Sequence, residues 1–295
     1  VEAGNITAAA SSLQLAQPAL GAQIRLLERE LGVPLLVRHS RGVTPTAAGT
    51  FLYERARKIL AELDETSRQV RELAAGSRDH VTLGVTPSMV MLLGPDLLLQ
   101  ARKAAPKISI SLVEERSPVL LEALEAGHID IAFLYNVGER PNLIREAILE
   151  EDLLLVTGFK EATDESSVSL AQALDHELVI AGERGVIRKI VESEASRLSL
   201  KLRLAFEVHS VSSMKSLIAR GTAASIMPWS LAAEELADCT LHARRIDRPA
   251  LTRVLYLVEP ANRRSIAMEA ELSGFLDQVR TRMLERIGPY ARSLK

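Results

Sequence analysis

The stretch from Asn5 to Glu30, N-I-T-A-A-A-S-S-L-Q-L-A-Q-P-A-L-G-A-Q-I-R-L-L-E-R-E, leaves the chain little conformational choice. Two short helical patterns run back to back in it. The first holds Ala8, Ala9 and Leu13, with Asn5 or Thr7 available as N-cap. The second opens at Gln17-Pro18 and places Leu20, Ile24 and Leu27 at spacings of four and three, on one helical face. Pro18 fits only a first turn, where its missing N–H has no intrahelical partner to lose. Gln14-Leu15-Ala16 is the tight break between them. Two helices, a short turn and a small-residue packing face describe a helix-turn-helix, whose second helix is shaped to enter a major groove. An ordinary helical hairpin satisfies the same pattern, so the residues that follow carry the distinction.

Glu30-Leu31-Gly32-Val33-Pro34-Leu35-Leu36 stops the second helix at a glycine, and Val37 to Thr44 supplies a short cationic, wing-like segment before Thr46-Ala47-Ala48-Gly49-Thr50 starts another helix. Taken in order, A-Q-P-A-L, the I-R-x-L-E beginning at Ile24, E-L-G-V-P-L-L-V-R and R-G-V-T-P-T-A-A-G resemble the amino-terminal domain of the LysR-type transcriptional regulators. A-Q-P-A-L, R-G-V-T-P-T and the following Leu52-Tyr53 look most like the nitrogen assimilation control subgroup. The resemblance implies a winged helix-turn-helix that reads promoter DNA with Gln17, Pro18, Ala19, Gly21, Ala22, Gln23 and Arg25, and with Arg38 and Arg41 from the wing. By residue type, Gln17 and Gln23 suit base edges and the three arginines suit phosphates or the minor groove. Two positions depart from the family pattern: Ala16 stands where the recognition-helix cap is usually Ser or Thr, and Gly21 where Ser is usual. The chain also opens Val1-Glu2-Ala3-Gly4 without a methionine, so the resemblance implies that most of the family's first helix lies outside it.

The net charge is −2, so any affinity for nucleic acid must come from a local patch. Between Gln23 and Lys58 the basic residues are Arg25, Arg29, Arg38, Arg41, Arg55, Arg57 and Lys58, seven against the three acids Glu28, Glu30 and Glu54. A single cysteine, Cys239, excludes an internal disulfide and fits a reducing, cytoplasmic setting. No apolar run of 18 residues and no signal peptide is visible, so no membrane association is expected.

From Thr46 to about Ala75 there is no proline and Gly49 is the only glycine. Leu52, Ala56, Ile59, Leu63, Thr66, Val70 and Leu73 step by four and three, a narrow apolar seam with charges on the other faces. A helix with so narrow a stripe asks for a partner helix, and the resemblance assigns the segment to dimerisation. Gly76-Ser77-Arg78-Asp79 reads as a hinge.

Beyond His80, strand and helix patterns alternate. Strands are expected at Val81 to Val85, Ile108 to Val113, Ile129 to Leu134, Leu153 to Phe159, Leu178 to Ala181, Leu202 to Val208, Ala223 to Met227 and Arg253 to Val258. Helices are expected at Leu93 to Ala105, Pro118 to Ala126, Leu170 to Leu174, Val186 to Leu198, Val211 to Ala219, Leu231 to Ala237 and about Ser265 to Arg286. The pattern predicts an α/β region with a mostly parallel sheet. The domains expected are 1–45 (winged helix-turn-helix, its helices all-α), 46–78 (linker) and 79–295, with a first lobe of 79–159 and 259–295 and a second of 160–258. Two such lobes resemble the periplasmic-binding-protein-like effector domain of the same family. In open α/β sheets, ligands sit beyond the carboxyl ends of strands, against helix N-termini. That rule selects Thr86, Pro87, Ser88 and Ser117 in one lobe and Ile187, Ser210, Ser212 and Pro228 in the other. Each hydroxyl among them equally suits a plain helix cap, and Arg188 either a carboxylate handle or a solvated helix position.

The six histidines are scattered, and no nucleotide-binding, nucleophile-elbow or metal motif occurs, so no catalytic residue, metal or cofactor is expected. The reading is a DNA-binding transcriptional regulator whose partners are double-stranded promoter DNA, a second or fourth copy of itself, RNA polymerase and a possible small-molecule effector. The alternative is a solute-binding protein using only the two lobes.

Overall fold

In the computed structural model the described residues are 1, 4–13, 15–39, 42–53, 55, 56, 59, 60, 63, 66, 79–158, 166–182, 185–261 and 269–294. They belong to two compact units, Val1–Arg71 and Glu72–Lys295.

In the first unit, α1 (Ile6–Ser12) starts at Asn5, whose Oδ1 accepts the Ala8 N–H at 2.6 Å, which settles the cap between the two candidates. The second helix, α2 (Gln17–Leu31), starts at Ala16 with no side-chain cap and ends at Gly32 in the left-handed region, φ 68°. Strands β1 (Leu36–His39) and β2 (Gly42–Pro45) form an antiparallel hairpin, so the wing-like segment is a two-stranded ribbon. Helix α3 begins at residue 47, after Thr46 caps the Gly49 N–H at 3.0 Å, and is helical at each described position through 66. Gly49 is there because α3 starts hard against the wing: a Cβ on it would stand 2.0 Å from the Leu35 carbonyl oxygen. The expected seam residues Leu52, Ala56, Ile59 and Leu63 lie on this helix. Val70, Leu73 and the hinge residues 76–78 lie outside the described residues.

In the second unit the strands are β3 (Asp79–Val85), β4 (Ile108–Glu114), β5 (Ile131–Tyr135), β6 (Leu143–Gly158), β7 (Ser167–Ser169), β8 (Leu178–Ala181), β9 (Leu204–Val208), β10 (Ser225–Pro228), β11 (Leu241–Arg248), β12 (Thr252–Pro260) and β13 (Ala291–Ser293). The helices are α4 (Pro87–Ala104), α5 (Ser117–Glu125), α6 (Leu170–Asp175), α7 (Val186–Arg197), α8 (Val211–Ala219), α9 (Ala233–Ala237) and α10 (Glu269–Ile287). One sheet runs β4-β3-β5-β12-β6-β11-β7, with β10 and β13 also paired to β6, and a second pairs β8 with β9. The two long strands β6 and β12 carry the chain from one lobe to the other and back. Residues 143–152 of β6 pair with β12, and 153–158 pair with β10 and β11.

This arrangement corrects the expectation of a mostly parallel sheet. Parallel pairing holds for β3 with β4 and β5, for β8 with β9 and for β7 with β11. Every pair made by β6 or β12 is antiparallel, because an outgoing and a returning strand necessarily run in opposite directions. Since β12 pairs with β5 and the first part of β6, the expected strand Arg253 to Val258 returns to the first lobe's sheet, ahead of the boundary at 258. Each lobe has its own core. Val81, Leu83, Phe133, Leu149 and Leu255 pack with α4 and α10 in the first, and Leu153, Leu155, Ile180, Val191, Ile226 and Leu251 pack together in the second.

Candidate nucleic-acid interface and effector cleft

The first two turns of α2 carry the predicted base-reading set. Gln17, Pro18, Ala19, Ala22, Gln23 and Arg25 are all exposed there. Gly21 is buried, and the Arg25 guanidinium stands 3.5 Å from where a Cβ would be. Arg38 is on β1 of the wing, and Arg41 lies outside the described residues. One residue with a structural role here escaped the sequence reading. Glu28 Oε1 accepts the Leu35 N–H at 2.8 Å and the Leu36 N–H at 3.2 Å, so the recognition helix and the root of the wing are tied by one carboxylate. An exposed helix start, flanked by a hairpin fixed to the same helix, is the geometry that inserts a helix into a major groove.

In the second unit a cavity of about 130 Å³ lies between the lobes. The starts of α4, α5, α7 and α8 converge on it, bringing Thr86, Pro87, Ser88, Ser117 and Ile187 together as expected, with Arg116, Tyr135, His209, Met214, Ile226, Leu231 and Arg253. Helix starts present N–H groups and partial positive charge, so the site suits a small polar ligand with an apolar body. Ser210, Ser212 and Pro228 are not among its lining residues. The Ser210 hydroxyl is occupied as the cap of α8, accepting the Ser213 N–H at 3.2 Å, Ser212 is exposed, and Pro228 is buried at the end of β10. Arg188 is no free handle either: it pairs with Glu192 at 2.6 Å and Glu207 at 2.5 Å. A second, open groove of about 610 Å³ shares Ser117, Tyr135 and Val186 with the cavity and extends past Arg140 and Lys189.

The wall of the cavity rests on a buried ion pair that the sequence reading did not anticipate. Arg253, on β12, is 5% exposed and Glu151, on β6, is 0% exposed. Arg253 donates to Glu151 Oε2 through Nε at 2.8 Å and Nη2 at 2.6 Å, while Tyr135 donates to the same oxygen at 3.1 Å and Ser230 to Oε1 at 2.7 Å. Arg253 also reaches the Ser88 hydroxyl at 3.0 Å and lies 3.5 Å over the Tyr135 ring. Burial holds the Tyr135 hydroxyl well above the ordinary tyrosine range, against the opposing influence of Arg253. A period-2 reading of E-E-D agrees with this: Glu150 and Asp152 share one face of β6, where both pair with Arg292 at 3.1 and 2.8 Å, so Glu151 between them points to the opposite face.

An exposed recognition helix with a wing, together with a two-lobed unit enclosing a small cavity, defines a DNA-binding transcriptional regulator with an effector-binding domain. The model of the LysR substrate binding domain matches residues 74–283, and that of the bacterial regulatory helix-turn-helix protein, lysR family, matches residues 1–50. The chain belongs to the LysR family of transcriptional regulators. It is similar to the nitrogen assimilation regulatory protein nac of Klebsiella aerogenes, with 31% identity over 87% of this chain and 84% of that protein. The protein of the same name in Escherichia coli strain K12 is 32% identical over 88% of this chain and 85% of its own length. Among solved structures, the LysR family transcriptional regulator CbnR superposes with a TM-score of 0.68 at 25% identity, covering 96% of this chain and 95% of CbnR. Full-length CbnR complexed with its target DNA gives 0.66 at 26% identity, with 95% of each chain covered. No helix among the described residues is long and apolar enough to cross a membrane.

Proposed function

We propose that this regulator binds double-stranded promoter DNA as a dimer or tetramer in the cytoplasm. Gln17 and Gln23 face base edges, the exposed Pro18, Ala19 and Ala22 give the close approach, Gly21 is buried and instead leaves room for the Arg25 guanidinium, and Arg25, Arg38 and Arg41 meet phosphates or the minor groove. The observation that carries this reading is the exposure of Gln17, Pro18, Ala19, Ala22, Gln23 and Arg25 at the α2 start, beside a wing anchored by Glu28. The CbnR complex with target DNA supports it by similarity. Dimers form through α3, where the apolar Ile59 and Leu63 are 68% and 60% exposed. The exposed Leu98, Leu99 and Phe206 of the second unit supply a further pairing surface for a tetramer. A small effector occupies the inter-lobe cavity against Thr86, Pro87, Ser88, Ser117 and Ile187, and changes how DNA-bound copies present themselves to RNA polymerase. The chain acts through binding rather than catalysis.

Selection of bound fragments from a genomic DNA library tests the reading. Enrichment of a short inverted repeat is the expected result. Uniform, salt-sensitive retention of all fragments would instead leave the chain as a ligand-binding protein with no operator.

A further inference from the structure

Arg253, Tyr135 and Ser230 converge their donors on one point, and that convergence is the donor set of a carboxylate seat. The planar guanidinium supplies two N–H groups and the two hydroxyls supply one each. The seat is filled by the chain's own Glu151. Arg253 and Tyr135 line the cavity, whereas Glu151 does not, so the carboxylate sits behind the arginine as seen from the ligand's side. Without that carboxylate, a buried guanidinium would demand an anion from solution. With it, the guanidinium's charge is already matched, so an anionic ligand group placed against this wall would give up its hydration without gaining an unpaired cation, and any attraction for it would have to come from the helix starts, Arg116 and His209 elsewhere on the lining. The surrounding surface is apolar, from Ile180, Ile187, Val211, Ile226 and Leu231. The remaining ionisable lining residues, Arg116 and His209, are both less buried than Arg253.

We infer that Glu151 is a specificity-determining residue: by neutralising Arg253 it makes this wall of the cavity select an uncharged ligand group and reject a carboxylate. The inference rests on the cavity being the effector site. It assigns Glu151 no contact with the ligand; Glu151 acts through Arg253.

Thermal unfolding of the full chain in sodium acetate, against sodium chloride at equal ionic strength and against acetamide, tests it. The wild-type midpoint should differ between acetate and chloride by no more than the general salt effect, which the double variant below also shows. Glu151→Ala should unfold at a lower temperature in chloride and regain about 3–5 °C when acetate exceeds its dissociation constant tenfold, with no gain from acetamide. Glu151→Gln keeps the volume and removes the charge, so it serves where the alanine variant does not fold. It should also respond to acetate, which reaches Arg253 from the cavity side. The double variant Glu151→Ala/Arg253→Met should lose the acetate dependence beyond that general effect. An acetate response equal in wild type and variants, or absent from both single variants, overturns the assignment. Promoter binding by the wild-type chain is measured separately, and its failure would strike the regulator reading instead.

Discussion

Ala16 and Gly21 are the two residues at which α2 departs from the family pattern, and both leave stability unrealised. Ala16 has the extended backbone of an N-cap, φ −70° and ψ 134°, but no oxygen to offer the helix. Ala16→Ser should stabilise the first unit by about 1 kcal/mol. Gly21→Ala should add about 1 kcal/mol more, because its Cβ meets the Arg25 guanidinium at an ordinary 3.5 Å contact. Thermal melts of the single variants check both; a melting point lowered by Gly21→Ala would mean that Arg25 cannot yield. Tyr135 gives a pH-dependent counterpart. Its hydroxyl resists ionisation in the folded state, so above about pH 10 the unfolded chain releases a proton that the native chain keeps. Native stability contributed by this group is therefore complete below pH 10 and declines as pH rises. Denaturant unfolding between pH 9 and 11 should show a shallower decline for Tyr135→Phe than for wild type. Parallel slopes would remove Tyr135 as the cause.

At the scale of elements, α3 makes the sharpest claim. Its apolar residues step at helical spacing, yet Ile59, Leu60 and Leu63 remain exposed in the single chain. Ile59→Asp should therefore cost the isolated chain little and the dimer much. Sedimentation at micromolar concentration should turn from dimer to monomer, and a surviving dimer would remove α3 from the interface. Elements with one clean apolar period were the legible ones: α8 (Val211–Ala219) and β8 (Leu178–Ala181) were found with their bounds, and α2 was placed by Pro18 and Gly32. The first ten residues of β6 and all of β11 were missed, because I-R-E-A-I-L-E-E-D and L-H-A-R-R-I-D-R carry charges on both faces. The β6 carboxylates bind the crossing strands to one another through Arg253 and to β13 through Arg292. The strand-end rule that selects the helix-start hydroxyls lining the cavity in the first lobe also selects Ser210 and Ser212, which do not line it. The rule locates a helix start and is silent on whether its hydroxyl is already spent as a cap.

Across the whole molecule, the charge balance decides how DNA binding must respond to salt. A chain of net charge −2 has no general attraction for a polyanion, so counterion release has to come from the few cations that α2 and the wing hold against the backbone. Arg25→Ala should then weaken binding across sequences and reduce the slope of log affinity against log salt by about one. Neutralising a distant acid, such as Glu139→Gln on the exposed surface of the effector-binding domain, changes the net charge by the same amount and should leave that slope unaltered. Titrations of a labelled operator at several salt concentrations separate the two cases. If Glu139→Gln steepens the slope as much as Arg25→Ala flattens it, binding is governed by total charge, and the local-patch account of the interface fails.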